Sequence, residues 1–142
     1  MSPRERQNDL IARYTILPDA HERLAALTAR RSKLAELPPE ERVPEALVQG
    51  CISRVYLIPS LEAGRCRFRI HADSALVRGL AAAICELYDD ATPEEIVATP
   101  LEFLEALGIA ANLSPTRLGG LSNLHARIVG FAQCHLATPP IS

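Results

Sequence analysis

Apolar and polar positions along this chain change period twice, and the changes divide it into three parts. Residues 4–16 predict a short helix, and a second follows Pro18-Asp19, with Leu24, Leu27 and Leu34 set against Arg23, Arg30, Arg31 and Lys33. The run Leu37-Pro38-Pro39 is expected to stop it. The pattern then shortens to a period of two. Strands are predicted at residues 46–49, at 53–58 ended by Pro59, and at 65–71 after a turn at Gly64. In the third, Cys66, Phe68 and Ile70 share one face while Arg65, Arg67 and Arg69 share the other, as a half-buried antiparallel strand requires.

The helical period returns after Asp73-Ser74, either of which can cap a helix bearing Leu76, Val77, Leu80, Ile84, Leu87 and Tyr88 on one stripe, closing near Asp89-Asp90. Gly79 inside that helix costs about 1 kcal/mol relative to alanine, so a close neighbour is expected there. Thr92-Pro93-Glu94-Glu95 reads as a cap followed by a first turn, and a short helix is predicted over 101–107, broken at Gly108. Ser114-Pro115 opens a last helix carrying Leu121, Leu124, Ile128 and Phe131, and the tail from 137 to 142 is expected to be loose. Helices, three adjacent strands, then helices predict an α+β fold: a three-stranded antiparallel sheet with helices packed on one face.

With 142 residues, one domain spanning 1–142 is expected, with its core at about 17–135. The formal charge is -2, and the 15 Lys+Arg are spread without a basic stripe, which argues against a nucleic-acid partner. No signal-like start and no apolar run of membrane length is present, so a cytoplasmic protein without a membrane partner is expected. Four cysteines at 51, 66, 85 and 134, with no C-x-x-C, fit reduced thiols.

Cys51 is the strongest candidate for chemistry. It sits in Leu47-Val48-Gln49-Gly50-Cys51-Ile52-Ser53-Arg54-Val55-Tyr56, where Gly50 permits a sharp turn and Cys51 is expected on a loop tip between strands. Cys66 reads as a packing residue, and Cys85 and Cys134 sit on helix flanks. A metal site from Cys51, Cys66 and His71 lacks any short-spaced ligand pair, and His71, Asp73, Ser53 and Ser74 lack the elbow of a hydrolase. Arg78 reads as a surface charge and Asp73 as a cap.

Four segments resemble the SufE family of sulfur acceptors. They are 48–55, then Asp73-Ser74-Ala75-Leu76-Val77-Arg78-Gly79-Leu80, then 88–97 from Tyr88 to Val97, and Leu113-Ser114-Pro115-Thr116-Arg117 with Gly120-Leu121, together spanning residues 17–133. The resemblance implies the fold shared by SufE and IscU-type scaffolds, with Cys51 as persulfide acceptor. It also implies a carrier, rather than an independent enzyme, that stimulates a cysteine desulfurase and passes sulfur to a cluster-assembly scaffold complex. No cofactor is implied for this chain, since pyridoxal phosphate belongs to the desulfurase. Arg117 matches the family's arginine before the last helix, and Arg117 and Arg54 are the cations expected near the Cys51 thiolate, with Tyr56 and Leu57 walling the resting sulfur. Tyr56 stands where the family commonly has tryptophan, and Gly119-Gly120 where it has Asn-Gly or Gln-Gly. Two rivals stay open: a metal or Fe–S cluster scaffold, and an adaptor that activates the desulfurase without taking sulfur.

Overall fold

The computed structural model describes residues 1–30, 32, 34, 36–49 and 54–136. Helix α1 runs Pro3–Thr15, closed at its start by a capping box between Ser2 and Glu5. Helix α2 runs Ala20–Ala29 from an Asp19 cap. It ends eight residues before the predicted stop at Leu37. Arg30 is already extended there, its guanidinium paired at 2.5 Å with Glu86, and Glu36 pairs beside Ile70 in the sheet, so the chain leaves the helix to reach these partners. Two 3-10 turns, Pro39–Glu41 and Pro44–Ala46, follow.

Strands β1, Val55–Glu62, and β2, Arg65–Ala72, form an antiparallel hairpin. Ala63 and Gly64 both take positive φ, 51° and 79°, the pair of left-handed residues that a tight two-residue hairpin turn needs. Among the described residues the sheet has two strands, not the expected three. The predicted strand at 46–49 is spent otherwise: Ala46 closes a 3-10 turn, and only Leu47 bridges to Tyr56, with Val48 N donating to Val55 O at 2.8 Å.

Nor does Pro59 end β1. Pro59 faces Phe68, whose own N–H points away from β1 to Asp89 Oδ1 at 2.9 Å, so the missing proline N–H lies on the side that makes no ladder bond. The outer edge of β2 is covered by Asp89–Ala91: Cys66 N donates to Ala91 O, and Asp90, at φ 59°, donates its N–H to Cys66 O.

Helix α3, Ala75–Tyr88, capped by Ser74 rather than Asp73, lays Leu80, Ile84 and Leu87 over the Cys66–Phe68–Ile70 face. The expected alternation holds: Cys66, Phe68 and Ile70 are buried and Arg65 and Arg67 exposed. Short helices α4, Pro93–Val97, and α5, Phe103–Ala106, lead to α6, Pro115–Cys134, which packs on α3, α4 and β1. Phe131 of α6 meets Phe68 edge-on with centroids 6.3 Å apart. Cys85, expected on a flank, is wholly buried, and burial pushes its thiol pKa up.

Gly79 is where α3 crosses α2. A Cβ added there would lie 2.8 Å from Thr28 Cα, a backbone atom that moves only if the helices separate. Gly79→Ala gains about 1 kcal/mol in helix propensity and loses about 1–3 kcal/mol by overpacking. A lower melting temperature is therefore expected; an equal or higher one would contradict this crossing.

The end of α3 is joined to α6 by a polar chain in which Tyr88 Oη donates to Thr99 O at 2.9 Å and lies 3.1 Å from His125 Nε2. With the phenol proton given to Thr99, His125 Nε2 must donate, so the neutral ring carries its proton on Nε2; burial lowers the imidazole pKa below its ordinary 6.5. The unfolded chain then binds more protons than the folded one as pH falls through 6.5, so this contribution is full above 6.5 and is lost on acidification. Glu95, whose pKa is lowered from 4.5 by hydrogen bonds from Thr92, acts only in the more acid range. Melting temperature is expected to rise from pH 5 to 7, and less steeply in His125→Gln; equal slopes would exclude His125 as the source.

Candidate functional site

The stretch that carries Cys51 is reached from two anchored ends. On the N-terminal side, Val48 is 2% exposed and Leu47 half-buried; on the C-terminal side, Val55 is 1% exposed. The Val48–Val55 bond and the Leu47–Tyr56 bridge draw these ends together, so residues 49–54 make the connection. Gly50, Cys51, Ile52 and Ser53 lie outside the described residues.

Side chains of α6 bind the incoming backbone. Arg127 Nη1 donates to Leu47 O at 2.8 Å, and Asn123 Nδ2 donates to Gln49 O at 2.8 Å. Across the connection, Asp73 N donates to Arg54 O at 3.1 Å, tying the outgoing backbone to the loop that starts α3.

Arg54 and Arg117 are both exposed. Arg117 occupies the first turn of α6, with its N–H donated to the Ser114 cap at 3.2 Å. Every other described arginine has a partner for its guanidinium. Arg6 binds carbonyls at the end of α3, including that of Asp89; Arg23 binds Leu17 O and Leu107 O; Arg42 binds Leu37 O; Arg78 binds Ala72 O. Arg4, Arg13, Arg30, Arg67 and Arg69 pair with carboxylates, and Arg65 binds Asp90 O. Among the described residues, Arg54 and Arg117 are thus the guanidinium groups left to solvent. Arg78, read as a plain surface charge, instead holds the end of β2.

His71 is buried on the sheet face opposite Cys66. Its Nε2 lies 3.3 Å from Asp73 Oδ1, while Nδ1 is buried without a partner. Sequence periodicity missed its burial, because the outer face otherwise carries arginines. Since Cys66 and His71 are five apart on one strand, their side chains point to opposite faces and do not converge on one ion. Among the described residues no three His, Cys, Asp or Glu side chains gather as ligands. Ser74, considered for hydrolysis, spends its hydroxyl accepting Val77 N.

The other cysteines have their own environments. Cys66 and Cys85 are buried, and burial raises both thiol pKa values, which suppresses thiolate. Cys134 is exposed near the end of α6. A cleft of about 450 Å³ lies elsewhere, between α1 and α3, and its Arg6, Arg13 and Arg30 are already engaged. No helix of the described residues is long and apolar enough to cross a membrane.

The family model for the SufE Fe-S metabolism associated domain matches residues 8–132. An uncharacterized SufE-like protein of Synechocystis is 32% identical over 115 residues, which cover 81% of this chain and 72% of that protein. A chloroplastic quinolinate synthase of rice, Oryza sativa subsp. japonica, is 36% identical over 112 residues, 78% of this chain but 16% of that protein. The solution structure of a hypothetical protein from Thermus thermophilus superposes with a TM-score of 0.74 at 22% identity, covering 96% of this chain and 98% of that one, and shares the fold. On the strength of the match over residues 8–132, the chain belongs to the SufE family of Fe-S metabolism associated domains.

Proposed function

We propose that this protein is a cytoplasmic, single-domain sulfur carrier that takes persulfide sulfur from a cysteine desulfurase onto Cys51. It raises the turnover of that enzyme and delivers the sulfur to an iron–sulfur cluster scaffold. The observation that supports the reading most is the anchoring of residues 49–54 at both ends, by Val48 to Val55, by α6 to Leu47 and Gln49, and by Asp73 to Arg54. A reactive residue offered to a second protein is better placed when the backbone on either side of it is held.

The chemistry is thiol exchange. The Cys51 thiolate attacks the terminal sulfur of the donor persulfide; a new S–S bond forms at Cys51, the old one breaks, and the donor cysteine leaves as thiolate. No net oxidation or reduction occurs, and no cofactor of this chain is needed. An ordinary thiol, with pKa about 8.5, is only a few per cent ionised at neutral pH, so a nearby cation speeds the attack. Arg54 and Arg117, whose guanidinium groups have no partner among the described residues, are the groups assigned to that role.

The test is intact mass. Incubated with a desulfurase and L-cysteine without reductant, the protein is expected to gain one sulfur atom, and Cys51→Ser none. Stimulated desulfurase turnover without any gain in mass would favour the adaptor reading. Iron or zinc retained by protein purified without oxygen would favour a metal scaffold. In Arg117→Ala, the alkylation rate of Cys51 against pH is expected to shift toward higher pH; an unchanged profile removes Arg117 from the mechanism.

A further inference from the structure

The geometry points to Asn123 and Arg127 as positioning residues that hold residues 47–49, the stem leading to Cys51, on α6 for sulfur transfer, an inference that rests on the carrier reading of Cys51. They stand four apart on α6, hence on one face, and each gives a side-chain N–H to a backbone carbonyl of the incoming stem: Arg127 to Leu47 and Asn123 to Gln49, both at 2.8 Å. The spacing matches the backbone it serves, since the bonded carbonyls are two residues apart on an extended segment and the donors are one helical turn apart. Gly120, about one turn earlier, is buried.

These bonds do what the sheet does not. A third strand would have fixed the stem by a continuous ladder, but pairing stops after Leu47 and Val48, and past that point Gln49 O is held by Asn123. Gln49 is two residues from Cys51, so the last described backbone group before the thiol is held by α6. Arg127 is the arginine whose bond reaches this stem, and a charged donor to a carbonyl is among the stronger single hydrogen bonds. Removing either donor leaves the fold's core untouched, because both side chains lie at the periphery of α6 while Leu121, Leu124 and Ile128 face inward.

The experiment compares wild type, Arg127→Met, Asn123→Asp and Arg127→Lys by two readouts. One is hydrogen exchange at the Val48 amide, which needs no partner; the other is the rate of sulfur uptake by Cys51 against the concentration of a purified cysteine desulfurase supplied with L-cysteine. Arg127→Met removes the donor but keeps the methylenes, and Asn123→Asp keeps the shape but sets a carboxylate against the carbonyl. In both, Val48 is expected to exchange about tenfold faster. The saturating uptake rate is expected to fall about tenfold with the half-saturating concentration unchanged, and Arg127→Lys to restore most of it. Faster exchange with unaltered uptake would overturn the positioning role, as would wild-type behaviour in both readouts. A wild type that takes up no sulfur refutes the carrier reading itself, and the transfer role with it, and the exchange data keep that result distinct from a failed clamp.

Discussion

Gln7→Leu is expected to destabilise the protein by about 3 kcal/mol and lower its melting temperature by about 10 °C. Gln7 is fully buried on α1, and its amide is held on both sides: Nε2 donates to Pro100 O at 2.9 Å, and Oε1 accepts from Glu102 N at 2.8 Å and Phe103 N at 3.0 Å. These are the backbone groups that open α5, a four-residue helix whose cap position, Glu102, provides no side-chain bond of its own. Leucine fills a similar volume but leaves one carbonyl and two N–H groups without partners, each costing about 1–3 kcal/mol where water is excluded. Protonated, as at acid pH, Gln7→Glu accepts the same two N–H bonds and donates its O–H to Pro100 O, so its loss there should be smaller, while an ionised glutamate would bury a charge against that carbonyl. Urea unfolding of the three proteins gives the order directly, and a Leu variant within about 1 kcal/mol of wild type would show that α5 is capped by other means.

Cys51→Ser carries the largest functional effect: stimulation of a cysteine desulfurase is expected to vanish, leaving the enzyme at its unaided rate. A serine hydroxyl ionises far above any working pH and makes no bond to sulfur that exchange chemistry can reverse, so no intermediate rate is expected. Cys134→Ser, which alters the exposed thiol on α6, should stimulate as the wild type does. Stimulation that survives Cys51→Ser would show that docking alone drives the enzyme.

Much of this molecule could be read from residue order, because its main elements follow local rules. The 65–71 alternation became β2 with Cys66, Phe68 and Ile70 inward, Ser74 and Thr92 became caps, and the cost of Gly79 within a helix was matched by Thr28 lying against it. The errors lie where tertiary partners decide. The apolar run at 46–49 looked like a strand, but Pro44 starts a 3-10 turn and α6 side chains take the carbonyls of Leu47 and Gln49. The second helix lacked a stop before Leu37, yet Arg30 leaves it for Glu86, 56 residues away.

The candidate site divides the same way. Cys51 stands out by its neighbours in sequence, whereas the freedom of Arg54 and Arg117 is a property of the fold, which gives every other described arginine a partner. Asn123 and Arg127 had no signature at all, since their bonds span 74 and 80 residues and follow no period. The motifs shared with the family are otherwise largely architectural: Asp89–Ala91 edges β2, Ser74 caps α3, and Gly79 admits α2.

The decisive measurement is a single transfer from a persulfide-charged desulfurase, followed by proteolysis and mass analysis of the four cysteine-containing peptides under non-reducing conditions. The added sulfur should reside on the peptide bearing residue 51, with the buried thiols at 66 and 85 unmodified. Sulfur found on the peptide of Cys134, or on none of them, would contradict the account.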